Sequence, residues 1–173
     1  MLFRSGELYN FQDKASQNFT LLVNGKPATY TMDKGYAVID REWKKDDKVE
    51  LTLPMEVKRI VARPEVKQDE ERIALQRGPL VYCVEGADNN GKAWDFIVPD
   101  QTSFQTTFDK NLLGGVVTIR FQSPVVIVSP DGQSVSTQTK TITAIPYYSW
   151  CNRGQNPMQV WLPKKIKDIK VNY

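Results

Sequence analysis

The sequence predicts an all-β protein, with an antiparallel, jelly-roll-like β-sandwich in its carboxy-terminal part preceded by a partial second β-sandwich or sheet. The first observation is a series of short apolar or alternating runs, rich in β-branched and aromatic residues, that suit strands and are too short for helices. The second is a set of turn signals between these runs, spaced by about ten residues as in a sandwich or barrel.

The predicted strands are Phe19–Val23, Tyr36–Ile39, Val49–Leu53, Leu80–Val84, Val116–Phe121, Val125–Val128, Thr141–Ile145 and Val160–Leu162. Asn24-Gly25 is the strongest turn signal, because both central residues of a type I′ hairpin turn need a positive φ. Further turns are indicated at Asn90-Gly91, Gly114-Gly115 and Pro130-Asp131-Gly132. The best helix candidate, Glu65–Leu75, has poorly spaced apolar residues and is predicted to form at most one turn.

A charge-dense segment from Glu56 to Arg72 follows Pro54 and predicts a domain boundary. We therefore expect one domain over residues 1–56 and a second over residues 57–173. The first offers about four strands, whereas a sandwich uses about seven or more. Four strands make a single sheet whose apolar face needs a cover, so this part is predicted to belong to a larger sandwich and to self-associate when left uncovered.

Composition excludes several kinds of active site. The chain has 173 residues, no histidine and two cysteines, so neither a Ser-His-Asp triad nor a Cys-His pair can form. Two thiolates do not make a closed zinc site, and we expect no metal and no cofactor. Cys83 and Cys151 lie in apolar or aromatic stretches, which predicts two buried, reduced thiols, with a disulfide between them as the alternative.

Charge and hydropathy argue against nucleic acid and membrane as partners. The net charge is +3, and the basic residues are scattered among acidic ones instead of forming a basic face. No apolar run approaches the length of about 20 residues that spans a bilayer. We expect no signal peptide within Met1–Asn10, because Arg4 and Glu7 interrupt any apolar core. The sequence does not determine the cellular compartment.

An ordered series of motifs carries a resemblance to a known family. It runs through Val23-Asn24-Gly25-Lys26, Gly35-Tyr36, Arg41-Glu42-Trp43, Leu53-Pro54-Met55, Arg77-Gly78-Pro79-Leu80-Val81-Tyr82-Cys83, Ile145-Pro146-Tyr147-Tyr148-Ser149-Trp150, Arg153-Gly154 and Met158-Gln159-Val160-Trp161-Leu162-Pro163. From about Leu8 to Pro163, the chain resembles the back half of glycoside hydrolase family 127 proteins, the β-L-arabinofuranosidase-like group. One departure is Asp46-Asp47, where the family commonly has Gly-Asp; aspartate tolerates a left-handed turn, so we expect the turn to survive.

The resemblance implies a function for the whole chain. In that family an (α/α)6 barrel comes first and carries the cysteine nucleophile, the zinc, the acid/base carboxylate and the sugar-binding histidines, and two β-sandwiches follow. None of the barrel motifs is present here, so no catalytic residue is carried over. The chain is expected to be a non-catalytic region that braces the barrel of a bacterial, periplasmic or secreted parent. The alternative is an autonomous carbohydrate-binding module that takes an oligosaccharide.

Tryptophans are the candidate sugar-binding residues. Trp94 lies in a polar loop and is the best candidate for an exposed stacking residue, although a loop tryptophan often covers the edge of a core. Trp150 and Trp161 lie in apolar, strand-like runs and are predicted to pack.

The remaining candidates are structural. Glu85, Asp88 and Asp95 are close in sequence, and one of them is predicted to pair with Arg77 or Arg153 in a bidentate bridge. The alternative is a glycosidase carboxyl pair, which needs a defined separation and a raised pKa. Gly78 permits an unusual backbone angle, and Pro79 suits the first residue of a strand, so that Leu80–Val84 is predicted as a strand buried on both faces.

Overall fold

A computed structural model describes residues 8–12 and 19–166 and contains β-strands joined by turns and short 3-10 segments. The strands are β1 (Tyr9–Phe11), β2 (Thr20–Val23), β3 (Lys26–Pro27), β4 (Thr31–Asp33), β5 (Tyr36–Val38), β6 (Val49–Thr52), β7 (Val57–Ala62), β8 (Arg72–Arg77), β9 (Leu80–Glu85), β10 (Gln105–Asp109), β11 (Val116–Val128), β12 (Val135–Pro146), β13 (Met158–Gln159) and β14 (Leu162–Pro163). Each strand pairing is antiparallel, which confirms the predicted all-β class. Within the described part of the chain, no helix is long and apolar enough to cross a membrane.

The chain divides into two compact units, Met1–Lys14 with Glu56–Tyr173 and, between them, Ala15–Met55. We call these the larger unit and the smaller unit. Strand β1 belongs to the larger unit because Tyr9 pairs with Ala62 and Phe11 with Ile60 on β7. The predicted division into domains 1–56 and 57–173 stays a prediction.

The larger unit is built on one nine-stranded antiparallel sheet. Its strands run in the order β1-β7-β8-β9-β12-β11-β10, with β13 beside β9 and β14 beside β8. Strand β9 changes neighbours along its length: Leu80–Tyr82 pair with β8, whereas Met158 of β13 takes the position opposite Glu85. Strands β8 and β13 therefore pair one after the other along the same edge of β9, opposite β12.

The core of the larger unit draws its buried side chains from the central strands β8, β9, β12 and β11, from β14 and from a connecting segment. Its buried members are Ile73, Leu75, Tyr82, Val84, Ala93, Phe96, Val98, Ile119, Phe121, Val125, Ile142, Ala144 and Leu162. The segment that carries Phe96 and Val98 is fixed by backbone hydrogen bonds. Ile97 N donates to Pro124 O (3.1 Å) and Val98 N to Pro163 O (2.7 Å). These bonds satisfy the polar groups that a loop would otherwise bury unpaired.

The smaller unit contains a three-stranded sheet in the order β3-β2-β6 and a separate hairpin, β4-β5. Asn24 and Gly25 connect β2 and β3 with φ values of 52° and 74°, so the predicted turn with two positive φ angles is confirmed. Asp46 has a φ of 71°, which confirms that the left-handed turn survives with aspartate in place of glycine.

Asp47 joins three segments of the smaller unit. Its carboxylate accepts hydrogen bonds from Lys44 N (2.9 Å) and Asn24 Nδ2 (2.7 Å) and lies 3.4 Å from Arg41 Nη2. The donors at Lys44 and Asn24, followed by the charge of Arg41, lower the pKa of Asp47 below its usual 3.8. The ionised Asp47 carboxylate therefore stabilises the folded state at a pH above its pKa in the unfolded chain. This stabilisation is lost as the pH falls through the lower pKa of Asp47 in the folded chain.

We expect an NMR titration to place the carboxyl pKa of Asp47 below 3.8, and Asn24→Ala to move it back toward that value. Asp131 offers a control, because its pKa is also lowered, by Ser129, and that site does not involve Asn24. If Asn24→Ala left the pKa of Asp47 unchanged, the hydrogen bond from the Asn24 amide would not be a cause of the lowered pKa.

Three local predictions differ from the structure. The runs Val116–Phe121 and Val125–Val128 form one strand, β11, and Val160–Leu162 is interrupted, because pairing stops at Gln159 and resumes at Leu162. The helix prediction agrees with the structure, by contrast: the candidate Glu65–Leu75 was expected to form at most one turn, and it holds one 3-10 turn, Lys67–Asp69, before β8 begins at Arg72. Strand β9 is not buried on both faces throughout, since Val81 is exposed.

Candidate functional site

A buried ion-pair cluster holds the two loops that follow β9 and β12. Arg153 donates to both oxygens of Asp88 (2.6 Å each) and to Glu85 Oε2 (2.5 Å). Glu85 is fully buried, and its second oxygen accepts from Cys151 N at 3.2 Å. Of the two arginines considered from the sequence, the structure places Arg153 against the acids. These hydrogen bonds raise the pKa of Arg153, with Asp88 contributing more than Glu85.

The loop that bears Asp88 is tied to the sheet by backbone and amide contacts. Asn89 Nδ2 donates to Glu85 O (2.8 Å) and Thr143 O (2.9 Å), and its carbonyl accepts from Thr143 N (2.9 Å). Gly86 N donates to Pro157 O, and a Cβ on Gly86 would lie 3.0 Å from Pro157 Cδ. Both carboxylates therefore share one guanidinium within a rigid frame, which is the arrangement of a structural bridge.

The same frame presents an exposed aromatic loop. Tyr147–Ser149 form a 3-10 turn, and Trp150 follows it. Tyr147, Tyr148 and Trp150 are exposed, and the rings of Tyr147 and Trp150 stack with centroids 6.1 Å apart. Trp150 is therefore exposed in a turn after β12, whereas its place in an apolar, strand-like run predicted that it packs. Aromatic side chains that are rigidly held at a surface are favoured anchors for a ligand or a protein partner.

The other tryptophans have partners. Trp94 is half-buried against the core of the larger unit, and its Nε1 donates to Met158 O at 3.1 Å. Trp161 is half-buried and packs on Tyr9 with centroids 5.3 Å apart. In the smaller unit, Trp43 is exposed with Arg41 over its ring at 5.1 Å.

Arg77, Gly78 and Pro79 form the hairpin between β8 and β9. Arg77 pairs with Leu80, and Gly78 has a φ of 56°, a left-handed conformation that favours glycine. Pro79 lies immediately before β9, in the turn. Gln76 Nε2 closes the turn by donating to Gly78 O at 2.7 Å.

The two cysteines are both free but differ in exposure. Cys83 is buried, as predicted, whereas the prediction for Cys151 was wrong: it follows the aromatic loop with a φ of 66° and is exposed. Burial, reinforced by the negative charges of Glu85 and Asp88, raises the pKa of the Cys83 thiol to about 12.

We expect one equivalent of a thiol reagent to react rapidly with the native chain at mildly alkaline pH, and two equivalents after unfolding, because the thiolate is the reactive form. Cys151→Ser should abolish the fast reaction and Cys83→Ser should leave it unchanged. Two fast equivalents in the native chain would contradict the burial of Cys83.

The smaller unit has an uncovered apolar surface. Among its described residues, 19–55, only Leu21 and Val23 are buried hydrophobic residues. Nine large hydrophobic side chains of the same unit are exposed: Tyr30, Met32, Tyr36, Val38, Trp43, Val49, Leu51, Leu53 and Met55. We call these nine residues the apolar surface of the smaller unit. Such a density of exposed hydrophobic residues marks an interaction site.

Comparison with known families decides the classification. The sequence model for the glycoside hydrolase family 127 C-terminal domain matches residues 57–163, and that for the family's beta-L-arabinofuranosidase middle domain matches residues 10–55. The chain belongs to glycoside hydrolase family 127. The resemblance carried by the ordered motifs is thereby confirmed.

Relatives of the family 127 chain are much longer than it is. The non-reducing end beta-L-arabinofuranosidase of Bifidobacterium longum subsp. longum is 31% identical over 157 residues, which cover 83% of this chain and 24% of the relative. The structure of a family 127 beta-arabinofuranosidase superposes with a TM-score of 0.88 at 32% identity, covering 96% of this chain and 26% of the other. A beta-L-arabinofuranosidase from Geobacillus stearothermophilus T6 gives 0.79 at 36%, covering 86% and 25%. The chain spans about a quarter of the relatives it matches.

Sequence reasoning missed one feature of this family 127 chain and identified another only in general terms. The exposed aromatic loop was missed because the run Ile145–Trp150 has the composition of a strand. The apolar surface was expected in general terms, but its members were not named; the alternation Val49, Leu51, Leu53 and Met55 was the available signal. No cluster of three or more metal-ligating side chains occurs within residues 8–12 and 19–166.

Proposed function

We propose that this chain is a non-catalytic accessory region of a longer family 127 glycoside hydrolase, which docks on and braces the catalytic (α/α)6 barrel of that protein. The observation that carries the proposal is the apolar surface of the smaller unit, whose described residues include nine exposed hydrophobic side chains and only two buried ones. A unit with so small a core gains stability by covering this surface. On its own, the chain is then expected to self-associate through the same unit.

The ion-pair cluster supports the non-catalytic part of the proposal. Glu85 and Asp88 share Arg153, so two of the three carboxylates that the sequence marked as candidate glycosidase residues serve a structural bridge. The role of this region is therefore to hold the substrate-binding part of the parent still, since catalysis depends on fixed geometry.

A chimaera tests this function: the chain replaces the matching carboxy-terminal segment of the Bifidobacterium longum relative. We expect the chimaera to fold and hydrolyse a non-reducing-end β-L-arabinofuranoside, and the isolated chain to hydrolyse none. Tyr36→Lys combined with Leu53→Lys should lower the Tm of the chimaera, because both residues would be covered. Phe108→Lys is the control, since Phe108 is exposed on the larger unit. Hydrolysis by the isolated chain, or equal Tm values for the two variants, would reject the proposal.

Carbohydrate binding is the second candidate function, and the exposed aromatic loop favours it. Tyr147, Tyr148 and Trp150 present rings that can stack on a sugar, whereas Trp94, the residue proposed from the sequence, is half-buried. Calorimetry of the chain against arabinose-containing oligosaccharides tests it, with Tyr148→Ala and Trp94→Ala as separate variants. If the chain binds an oligosaccharide saturably and one of the two variants loses that binding, the result would support a binding module and identify the ring responsible. If a folded sample shows no binding to any of the oligosaccharides, this function would be rejected.

A further inference from the structure

A pocket lies beside the core of the larger unit, between the segment 89–95, which follows β9, and the strands β11 and β12. Its volume is about 110 Å³. Val125 of β11 and Ile142 of β12 form its apolar wall, and both are buried members of the core. Neither Arg153 with its two acids nor the aromatic loop supplies a lining side chain among the described residues, so the pocket is a separate site.

Hydrogen bonds hold the segment 89–95 against the two strands. Val126 N donates to Asp95 O at 2.6 Å, which joins the end of the segment to β11. At its beginning, the Asn89 side chain bonds to the backbone N and O of Thr143 on β12. The pocket is therefore formed before a ligand enters it, which lowers the entropic cost of binding.

The polar lining carries two ammonium groups and one carboxylate. Lys92 Nζ lies 3.5 Å from Asp95 Oδ2, so these two charges offset each other. Lys140 forms no ion pair within the described part of the chain. It lies two positions before Ile142 on β12, on the same face of the sheet as the apolar wall. The pocket therefore has one uncompensated positive charge, which suits a ligand with a single negative charge.

The size and chemistry of the pocket narrow the class of ligand. A water molecule needs about 10–15 Å³ of such a volume, so the pocket takes roughly seven to eleven groups of that size. This is more than an inorganic oxyanion fills and is close to one sugar ring with its substituents. Asp95 and Asn90 offer hydrogen-bonding partners for hydroxyl groups, and the apolar wall suits the C–H face of a ring. Asp95 also disfavours a doubly charged ligand, because like charges repel at short range.

We propose that this pocket binds one uronate ring, a monosaccharide that carries a carboxylate, either free or as part of an acidic glycan. Its carboxylate lies at Lys140 Nζ, and its hydroxyl groups bond to Asp95 and Asn90. Its C–H face packs on Val125 and Ile142. The proposal is independent of barrel docking and of sugar stacking on the aromatic loop, since it uses none of the residues that carry those functions.

An NMR titration of the whole chain tests the proposal. The probes are galacturonate and glucuronate, and the matched controls are galactose and glucose, which have the same rings without the carboxylate. We expect at least one uronate to shift the amide signals of Lys92, Asp95 and Lys140 saturably, with a Kd on the order of 1 mM for a ligand of this size. The neutral sugars should bind at least about tenfold more weakly, because they lack the charge-assisted hydrogen bond.

Two substitutions locate the site. Lys140→Met should weaken uronate binding by about tenfold or more, since it removes the ammonium group and keeps the apolar stem. Lys110→Met is the matched control, because Lys110 is exposed on the turn between β10 and β11 and its replacement changes the net charge equally. It should leave the Kd unchanged. Tyr148→Ala should leave it unchanged too, which separates this pocket from the aromatic loop.

Four results would overturn the proposal. These are no saturable shift with either uronate, equal binding of the neutral sugars, inorganic phosphate binding as tightly as the uronate, and Lys110→Met weakening binding as much as Lys140→Met. A titration with trigalacturonate distinguishes the two sources of the ring. Tighter binding of the trimer than of galacturonate supports an acidic glycan, and equal or weaker binding supports a free sugar acid.

Discussion

Replacement of Arg153 by methionine is expected to destabilise the larger unit by about 3 kcal/mol, because it leaves the fully buried carboxylate of Glu85 without its cation. Methionine retains most of the apolar volume of the side chain, so the loss reports the charge and the hydrogen bonds. The free energy of unfolding from urea denaturation, compared with that of the wild type, gives the effect.

Lys92→Met serves as the control for this measurement. Lys92 lies 3.5 Å from Asp95, but its side chain is 67% exposed, and such a pair contributes about 0–1 kcal/mol. Adding Glu85→Gln to Arg153→Met should recover part of the lost stability, because the buried charge is removed with its partner. If Arg153→Met cost no more than Lys92→Met, the cluster would not be the structural bridge described above.

Phe96→Ala is expected to cost about 3–5 kcal/mol, since it opens a cavity in the core of the larger unit. Phe96 is completely buried, and its ring lies 6.1 Å from that of Phe121. Phe96 lies in the connecting segment, so the stability lost in Phe96→Ala also measures how firmly that segment is held against β11. Urea denaturation and the exchange rate of the Val126 amide, which donates to Asp95 O at 2.6 Å, would report both effects.

Phe108→Ala is the matched control because the same side chain is 65% exposed on β10 of the same unit. Surface substitutions of this kind usually change stability by about 0.5 kcal/mol or less. Equal losses for Phe96 and Phe108 would mean that the connecting segment does not form part of the core.

The parts of the fold that were predicted correctly are those with local causes. The turn at Asn24-Gly25 follows from the backbone angles that these two residues tolerate, and alternation or β-branching marked most of the strands. The fusion of β11 across Ser123-Pro124 could not be predicted in this way. Proline indicates a break, but Pro124 O accepts from Ile97 N and Ser123 Oγ donates to Ile97 O, both contacts from distant sequence.

The candidate site shows the same limit. Its acids were identified from the sequence, but the choice between Arg77 and Arg153 was left open, because Arg153 is separated from Glu85 by 68 positions. Only the packing of the β9 and β12 loops brings the two together. The exposure of Tyr148 and Trp150 was likewise hidden, since an apolar composition does not distinguish a strand from an aromatic turn.

The position of β1 determines which segment of this protein can be removed or replaced without disturbing the sheet of the larger unit. Phe11 pairs with Ile60, and Gln12 N donates to Arg59 O at 2.9 Å, so the chain leaves the larger unit and re-enters it at adjacent points. Along the sequence, the smaller unit therefore lies between β1 and β7, two neighbouring strands of the larger unit, its host. An excision between these two points would leave the register of the host sheet intact. Residues 15–55 can therefore be shortened, replaced or enlarged without rebuilding the sheet that carries them.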